Sequence, residues 1–229
     1  MNKNSANKEQ TVPVIAIDGH SASGKGTIAE RVASALGWHY LDSGALYRLT
    51  ALLAKRKGVA WDDEPGLTRL LTRLDVVFNG MSILLSGEEV SDAIRHEDIS
   101  SGASQVATLP GVREGLLVRQ RAFRKPPGLV VDGRDMGSVV FPDAQVKIFL
   151  TASVEARAER RYKQLSEKGI PANMTSLLQD LRERDQRDSQ RSASPLQQKE
   201  DALLLDTTFL SIDETVERIL VLSCEVLKS

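Results

Sequence analysis

The chain has a single cysteine, Cys224, among its 229 residues. That excludes an intrachain disulfide and any cysteine-built metal cage, and it fits a reducing compartment. Aromatic residues make up only 4% of the chain, so the core must rest on Leu, Val, Ile and Ala. No stretch approaches the roughly 20 apolar residues that a membrane helix requires. The opening stretch, Met1 to Gln10, lacks the apolar segment of a secretory signal and reads, with Thr11, as a flexible tail. Nor is there an excess of charge. The 30 Lys and Arg against 31 Asp and Glu leave a net −1, which excludes a broad basic face for nucleic acid or a membrane. No internal repeat is visible.

Apolar residues are 41% of the chain, enough for a packed core. The length allows one domain carrying an insertion. The basic residues divide unevenly, into 19 Arg and 11 Lys. The planar fork of Arg suits bidentate phosphate and carboxylate contacts, whereas Lys is a point charge. Codon bias would give the same count, so the positions of the arginines must decide.

Val12 to Ile17 reads as a buried strand, ended by Asp18 and a glycine-rich turn. A helix from about Lys25 to Leu36 follows, with Ile28, Val32 and Leu36 on one face and Gly37 as its stop. After Asp42-Ser43-Gly44, with Ser43 as the expected N-cap, a helix runs from about Ala45 to Arg56. Another starts near Asp63. Leu74 to Phe78 and Ser82 to Leu85 are β-like runs around Asn79-Gly80, a type I′ hairpin signal. They mark an inserted antiparallel patch at about 74–108, with core at about 12–73 and 109–229. An amphipathic helix extends from Pro110 to about Arg124. Leu129-Val130-Val131 and Val146 to Leu150 are strands. Two charged helices, at about Val154 to Glu167 and Ser176 to Arg191, form a lid over about 157–191. Leu203 to Asp206 is a last strand. Ser211 and Glu214 form a capping box for a terminal helix, in which Cys224 is expected as a buried filler. Alternating strands and helices imply an α/β fold with a parallel sheet covered on both faces.

Gly19-x-x-x-x-Gly24-Lys25 follows a strand and opens a helix, the context of a P-loop. Backbone N–H groups of Gly19, His20, Ser21, Ala22, Ser23, Gly24, Lys25, Gly26 and Thr27 can curl around an anion at the helix N-terminus. Lys25 reaches β and γ phosphates. Gly26 stands where a Ser or Thr is usual, and Thr27 follows one place later, so its support of Mg²⁺ runs directly or through water. Asp132, at the end of a buried strand, is placed like the acid that holds Mg²⁺ near a P-loop; a turn-forming aspartate before Gly133 is the alternative. The Lys-Gly-Thr ending resembles nucleoside monophosphate kinases.

Bringing several phosphates together requires cations aimed at both ends of the transferred group. Arg48, Arg134, Arg157, Arg161, Arg184 and Arg191 are so distributed. Arg184, Asp188 and Arg191 are spaced i, i+4, i+7 and share a face. Arg160, Arg182 and Arg187 read instead as solvated partners of the acids around them.

The segments GHSASGKGT (19–27), LDSGALYR (41–48), VREGLLVRQRAF (112–123) and VVDGRDMGSVVFPDA (130–144), with the Arg184-Asp185-Gln186-Arg187-Asp188 run, resemble bacterial cytidylate kinases. The resemblance covers about residues 13 to 210. It implies a P-loop core, a substrate-binding insert and a short helical lid, and transfer of the γ-phosphoryl of Mg·ATP to CMP or dCMP. By resemblance, Ser43, Tyr47, Arg48, Arg134 and Arg191 contact the CMP phosphate, and Arg184 and Asp188 the ribose. Ser104, Arg113 and Asp135 read cytosine. Lys25, Arg134, Arg157, Arg161 and Arg191 serve catalysis, with Arg157 and Arg161 on donor phosphates. Core packing remains the alternative for Tyr47, and a surface helix arginine for Arg113. The resemblance also implies a cytoplasmic monomer that binds nucleotides and neither nucleic acid nor membrane. A kinase for another monophosphate or a small hydroxyl compound is the rival reading. A GTPase switch is disfavoured because no Asn-Lys-x-Asp motif follows the P-loop.

Overall fold

The computed structural model describes residues 11–79, 82–167, 169–191 and 193–228. The expected tail at 1–10 and the Gly80 half of the hairpin turn lie outside the described residues. Along the chain come β1 (Val14–Gly19), α1 (Lys25–Leu36), β2 (His39–Asp42), α2 (Ser43–Lys57) and α3 (Glu64–Leu71). Next are β3 (Val76–Asn79), β4 (Ser82–Leu85), β5 (Glu88–Glu89), a 3₁₀ turn at Ala93–Arg95, and α4 (Glu97–Val106). Then follow α5 (Pro110–Arg121), β6 (Leu129–Gly133), a π-helical turn (Met136–Val140), β7 (Val146–Thr151), α6 (Val154–Glu167), α7 (Met174–Gln190), β8 (Leu203–Asp206) and α8 (Ile212–Lys228).

Five strands form one parallel sheet in the order β2-β6-β1-β7-β8. Its centre is buried on both faces, and the two-residue period of a strand divides it between two cores. Ile15 and Ile17 of β1, with Val130 and Ile148, pack on Ile28 and Val32 of α1 and Ile219 of α8. Val14 and Ala16, with Leu129 and Val131, face Leu46 and Leu49 of α2 and Leu116 of α5. Cutting any of the central isoleucines to alanine leaves a cavity costing about 2–5 kcal/mol.

The parallel register brings the carboxyl ends of the strands to one edge. Asp42 lies opposite Asp132, and Asp18 opposite Gly133. Ligands of open α/β sheets bind outside this edge.

The antiparallel sheet β3-β4-β5 stands apart from the parallel one. Its Ile83 and Leu85 join Ile94 and Ile99 in the core beneath α2. The same stretch also carries a helix that the sequence pattern did not announce. In α4, Ile99, Ala103 and Val106 are buried at helical spacing. Gly102 lies flat on Trp61, where a Cβ would come within 2.4 Å of the indole.

Several local expectations are corrected. The N-cap of α2 is Asp42, whose carboxylate accepts from the Ala45 amide at 3.0 Å; Ser43 is the first helical residue. The shift frees the Ser43 hydroxyl to donate to the Asp132 carbonyl at 2.7 Å. Helix α5 ends at Arg121, and α7 starts at Met174, capped by Asn173. Arg191 is the extended residue just past α7, so only Arg184 and Asp188 of the expected trio lie on the helix. Cys224 is exposed. The buried stripe of α8 runs through Thr215, Val216, Ile219 and Ser223, and the next residue turns about 100° away from it. The capping box at Ser211 and Glu214 is formed in both directions, at 2.8 and 3.2 Å.

Candidate active site

A cleft of about 770 Å³ opens at the carboxyl edge of the parallel sheet. Ten basic and seven acidic side chains line it, so the cleft is net positive although the whole chain is not. One side is built by α2, α4, α5 and the segment after β6. The rest is built by α6, α7 and the segment Thr207–Thr215 after β8. The P-loop lies between them. All of the expected site residues line the cleft except Gly19, His20 and Arg157.

The P-loop is locked to its neighbours. At Gly19 a Cβ would lie 2.0 Å from the Leu150 carbonyl of β7, so no side chain fits there. Gly24 holds φ +90° at the N-cap of α1, a left-handed conformation natural to glycine. Lys25 curls back, and its Nζ donates to the His20 carbonyl at 2.8 Å. Burial pushes the Lys25 ammonium down, to about 7; Arg134 adds to the effect and Asp132 opposes it.

Two arginines of α6 grip the outside of the loop. Arg157 donates to the Ser21 carbonyl at 3.1 Å and pairs with both oxygens of Asp185 on α7, at 3.1 and 2.5 Å. His20 Nδ1 lies 3.3 Å from the same carboxylate. Arg160 donates to the Ser23 carbonyl at 3.2 Å and also bonds Thr207. Arg160 is therefore not a solvated helix residue, as the sequence suggested, but a strut between α6, the P-loop and the segment after β8. Arg187 departs from that expectation too: its Nε reaches Ser104 on α4 at 3.4 Å. Only Arg182 behaves as expected, paired at 3.5 Å with Glu155 in solvent. Arg161 crosses the mouth of the cleft to Glu97 at the start of α4, at 2.6 Å.

On the opposite side, arginines are held by carboxylates. Arg113 pairs with Asp135, and also approaches the Tyr47 hydroxyl at 3.4 Å and the Ala107 carbonyl at 3.3 Å. Arg191 Nη2 lies 3.9 Å from the other Asp135 oxygen. Arg134 Nε donates to Asp188 at 2.7 Å. Arg48 donates to Asp42 at 2.5 Å, so Asp42 caps α2 and orients an arginine of the same helix. Burial pulls upward on both Asp42 and Asp188. Arg48 overcomes this for Asp42, and Arg134 with Arg184 overcome it for Asp188, so both carboxyls stay below the ordinary range. Arg184 has no such partner. Its Nε is buried without a hydrogen bond, and burial together with Arg134 lowers it to about 10. A buried N–H without a partner is costly unless an acceptor comes to it.

Beneath the P-loop, Asp132 accepts from the Tyr40 hydroxyl at 2.8 Å. Burial and the neighbouring Asp42 raise Asp132 to about 7, against the pull of Lys25. A cation beside Asp132 would relieve that burden. With Thr27 on the same cleft, the protein oxygens are few and hard, which suits Mg²⁺, an ion that keeps most of its ligands as water and phosphate.

Two residues escaped the sequence reading. Asp18 accepts from the amides of Met136 and Gly137, at 2.8 and 2.9 Å, and so holds the π-helical turn that follows Arg134 and Asp135. Burial raises its carboxyl to about 6 despite those two amides. Tyr40 is the second. Neither sits in a recognisable motif, because each acts across the sheet on a partner far along the chain.

The whole arrangement has close relatives. The family model described as cytidylate kinase matches residues 15–224. A cytidylate kinase from Chromobacterium violaceum is 59% identical over 210 residues, covering 92% of this chain and 95% of its own. One from Bordetella pertussis is 58% identical, covering 93% and 95%. One from Nitrosomonas europaea is 58% identical, covering 96% and 99%. With the P-loop, the arginine-lined cleft and near full-length similarity in agreement, the chain belongs to the cytidylate kinase family.

Proposed function

We propose that this chain transfers the γ-phosphoryl group of Mg·ATP to CMP and dCMP, giving CDP or dCDP and ADP. The observation that carries the reading is the buried Arg113–Asp135 pair in the wall of the cleft. Cytosine presents a ring acceptor beside an amine donor; the guanidinium and carboxylate offer the complementary pattern, Asp135 accepting from the amine and Arg113 donating. Uracil reverses that pattern and would leave a buried carboxylate facing a carbonyl, which is costly. Ser104 completes this base site. Ser43, Tyr47, Arg48, Arg134 and Arg191 take the CMP phosphate, and Arg184 and Asp188 the sugar.

Donor phosphates lie in the P-loop, with Lys25 on the transferring group. Arg157 and Arg161 reach them once the lid exchanges its present partners. Mg²⁺, when bound, neutralises phosphate charge; Asp132 and Thr27 would hold it, directly or through water. The nucleophile is an oxygen of the CMP phosphate. It bonds to the γ-phosphorus while the bond to the β–γ bridging oxygen breaks. That oxygen is already ionised, so the chain's task is alignment and charge neutralisation, not proton removal.

We read the chain as a cytoplasmic monomer with an insert at about 74–108 and a lid at about 157–191. Sedimentation at micromolar concentration tests the monomer. The function itself is tested by coupled ADP release with CMP, dCMP, UMP, AMP, GMP and shikimate as acceptors. Turnover is expected with CMP and dCMP first; equal or faster turnover with another acceptor overturns the reading.

A further inference from the structure

The P-loop of this chain carries Gly26 where the general motif has a hydroxyl side chain, and the space that side chain would enter is not empty. A Cβ on Gly26 would stand 3.5 Å from the hydroxyl of Tyr40. Tyr40 comes from β2, the edge strand beside β6, and its hydroxyl donates to Asp132 Oδ1 at 2.8 Å. The ring itself packs with Ile28 and Val32 in the core between α1 and the sheet, so the hydroxyl is delivered from a fixed base. One phenol thus borders the space over the glycine that replaces a hydroxyl and bonds the strand-end carboxylate.

We propose that Tyr40 is a positioning residue for the metal site, fixing Asp132 through one oxygen so that the other is presented to the cation that accompanies ATP. The inference rests on the assignment of Asp132 to the metal. The physical basis is general: a carboxylate that serves a metal is itself hydrogen-bonded, and loss of that outer partner weakens metal affinity by about 10- to 100-fold. A phenol can serve here because it donates to the carboxylate from outside the cleft and leaves the inner face to phosphate, cation and water.

The test is Tyr40→Phe, which keeps the ring and removes only the hydroxyl. Free Mn²⁺ is measured by electron paramagnetic resonance in the presence of the protein and the β,γ-methylene analogue of ATP. Metal-free affinity for the same analogue and the thermal midpoint are measured alongside. The expected result is Mn²⁺ affinity weaker by about tenfold or more, with metal-free nucleotide affinity unchanged. Wild-type Mn²⁺ affinity in Tyr40→Phe overturns the proposal. So does an equal loss of metal-free nucleotide affinity, which would mark Tyr40 as support for the loop alone. Asp132→Asn separates this from the assignment beneath it. If Asp132→Asn weakens Mn²⁺ and Tyr40→Phe does not, only the role of Tyr40 falls. If Asp132→Asn binds Mn²⁺ as tightly as the wild type, the metal assignment falls and takes the role of Tyr40 with it.

Discussion

The two sides of the cleft use the same residue type in opposite ways. Toward α2, α5 and the segment after β6, Arg113 and Arg134 are each held by a buried carboxylate, Asp135 and Asp188, while Arg48 is held by the half-buried Asp42. Toward the lid, Arg160 bonds backbone carbonyls, Arg157 adds one to its Asp185 pair, and Arg161 reaches an exposed acid. A buried ion pair is a rigid fixture: breaking it strands a charge, at about 3–5 kcal/mol. A rim pair such as Arg161–Glu97 is exchanged at small cost for a phosphate, whereas Arg157 with Asp185 is itself a largely buried pair. The side toward α2 and α5 is thus fixed by buried ion pairs, whereas Arg161 on the side toward α6 rests in a pair open to solvent.

Lys25 stands between the two sides, and its loss should do the most damage. Lys25→Ala is expected to lower kcat by about 10²–10³-fold or more, with an unchanged circular dichroism spectrum. Full activity in that variant would remove the junction on which the comparison turns. The acceptor side comes next. Asp135→Ala should narrow the ratio of CMP to UMP rates by about 10- to 100-fold. It should also destabilise the fold by about 3–5 kcal/mol in urea titration, because Arg113 is left buried and unpaired. An unchanged rate ratio would break the assignment of base reading to this side.

A third outcome is read in protons. Lys25 in the free protein is pushed by burial to about 7, well under its ordinary value. Phosphates arriving beside it favour the charged form and raise it again. Between about pH 7 and 10, ATP binding must therefore take up protons, toward one per site. Calorimetry at pH 8 in two buffers of different ionisation enthalpy measures the uptake, and Lys25→Ala should abolish it. The smallest effect belongs to the rim. Glu97→Ala should change stability by under about 1 kcal/mol, since its pair with Arg161 is exposed. The same change frees Arg161, so KM for ATP should fall by no more than about threefold. A large loss of stability would make the lid side as rigid as the other and erase the distinction.

Much of this was legible in the amino-acid order. The P-loop, the strand–helix alternation and the bounds of α1 and α6 follow from local pattern, as do Arg48, Arg134, Arg161, Arg184 and Arg191 in the cleft; Arg113 follows only from the resemblance, and Arg95 and Arg160 from neither. What escaped depends on partners distant in sequence. Helix α4 carries two adjacent serines and a glycine, poor local signals; it is helical because Ile99, Ala103 and Val106 find a core and Gly102 finds the face of Trp61. Arg160 looked like one charge among many on a polar helix, and only the fold brings the Ser23 and Thr207 carbonyls to it. Ser43 and Asp42 are both good caps, and the choice went to the residue whose carboxylate could also hold Arg48. Cys224 is exposed because its angle on α8, one residue past the buried Ser223, outweighs the preference of its residue type for the interior.

The bond from Asp18 to the turn at Met136 and Gly137 has a consequence for how the molecule is built. It joins residues 118 and 119 positions apart, so the segment bearing Arg134 and Asp135 has no fixed shape until the first strand and the middle of the chain have met. Contacts of such long range are closed late and slowly. On a ribosome, the phosphate loop would emerge early and wait. The turn beside Asp135 would take its shape only after its own synthesis, because its anchor, Asp18, lies 118 positions earlier in the chain.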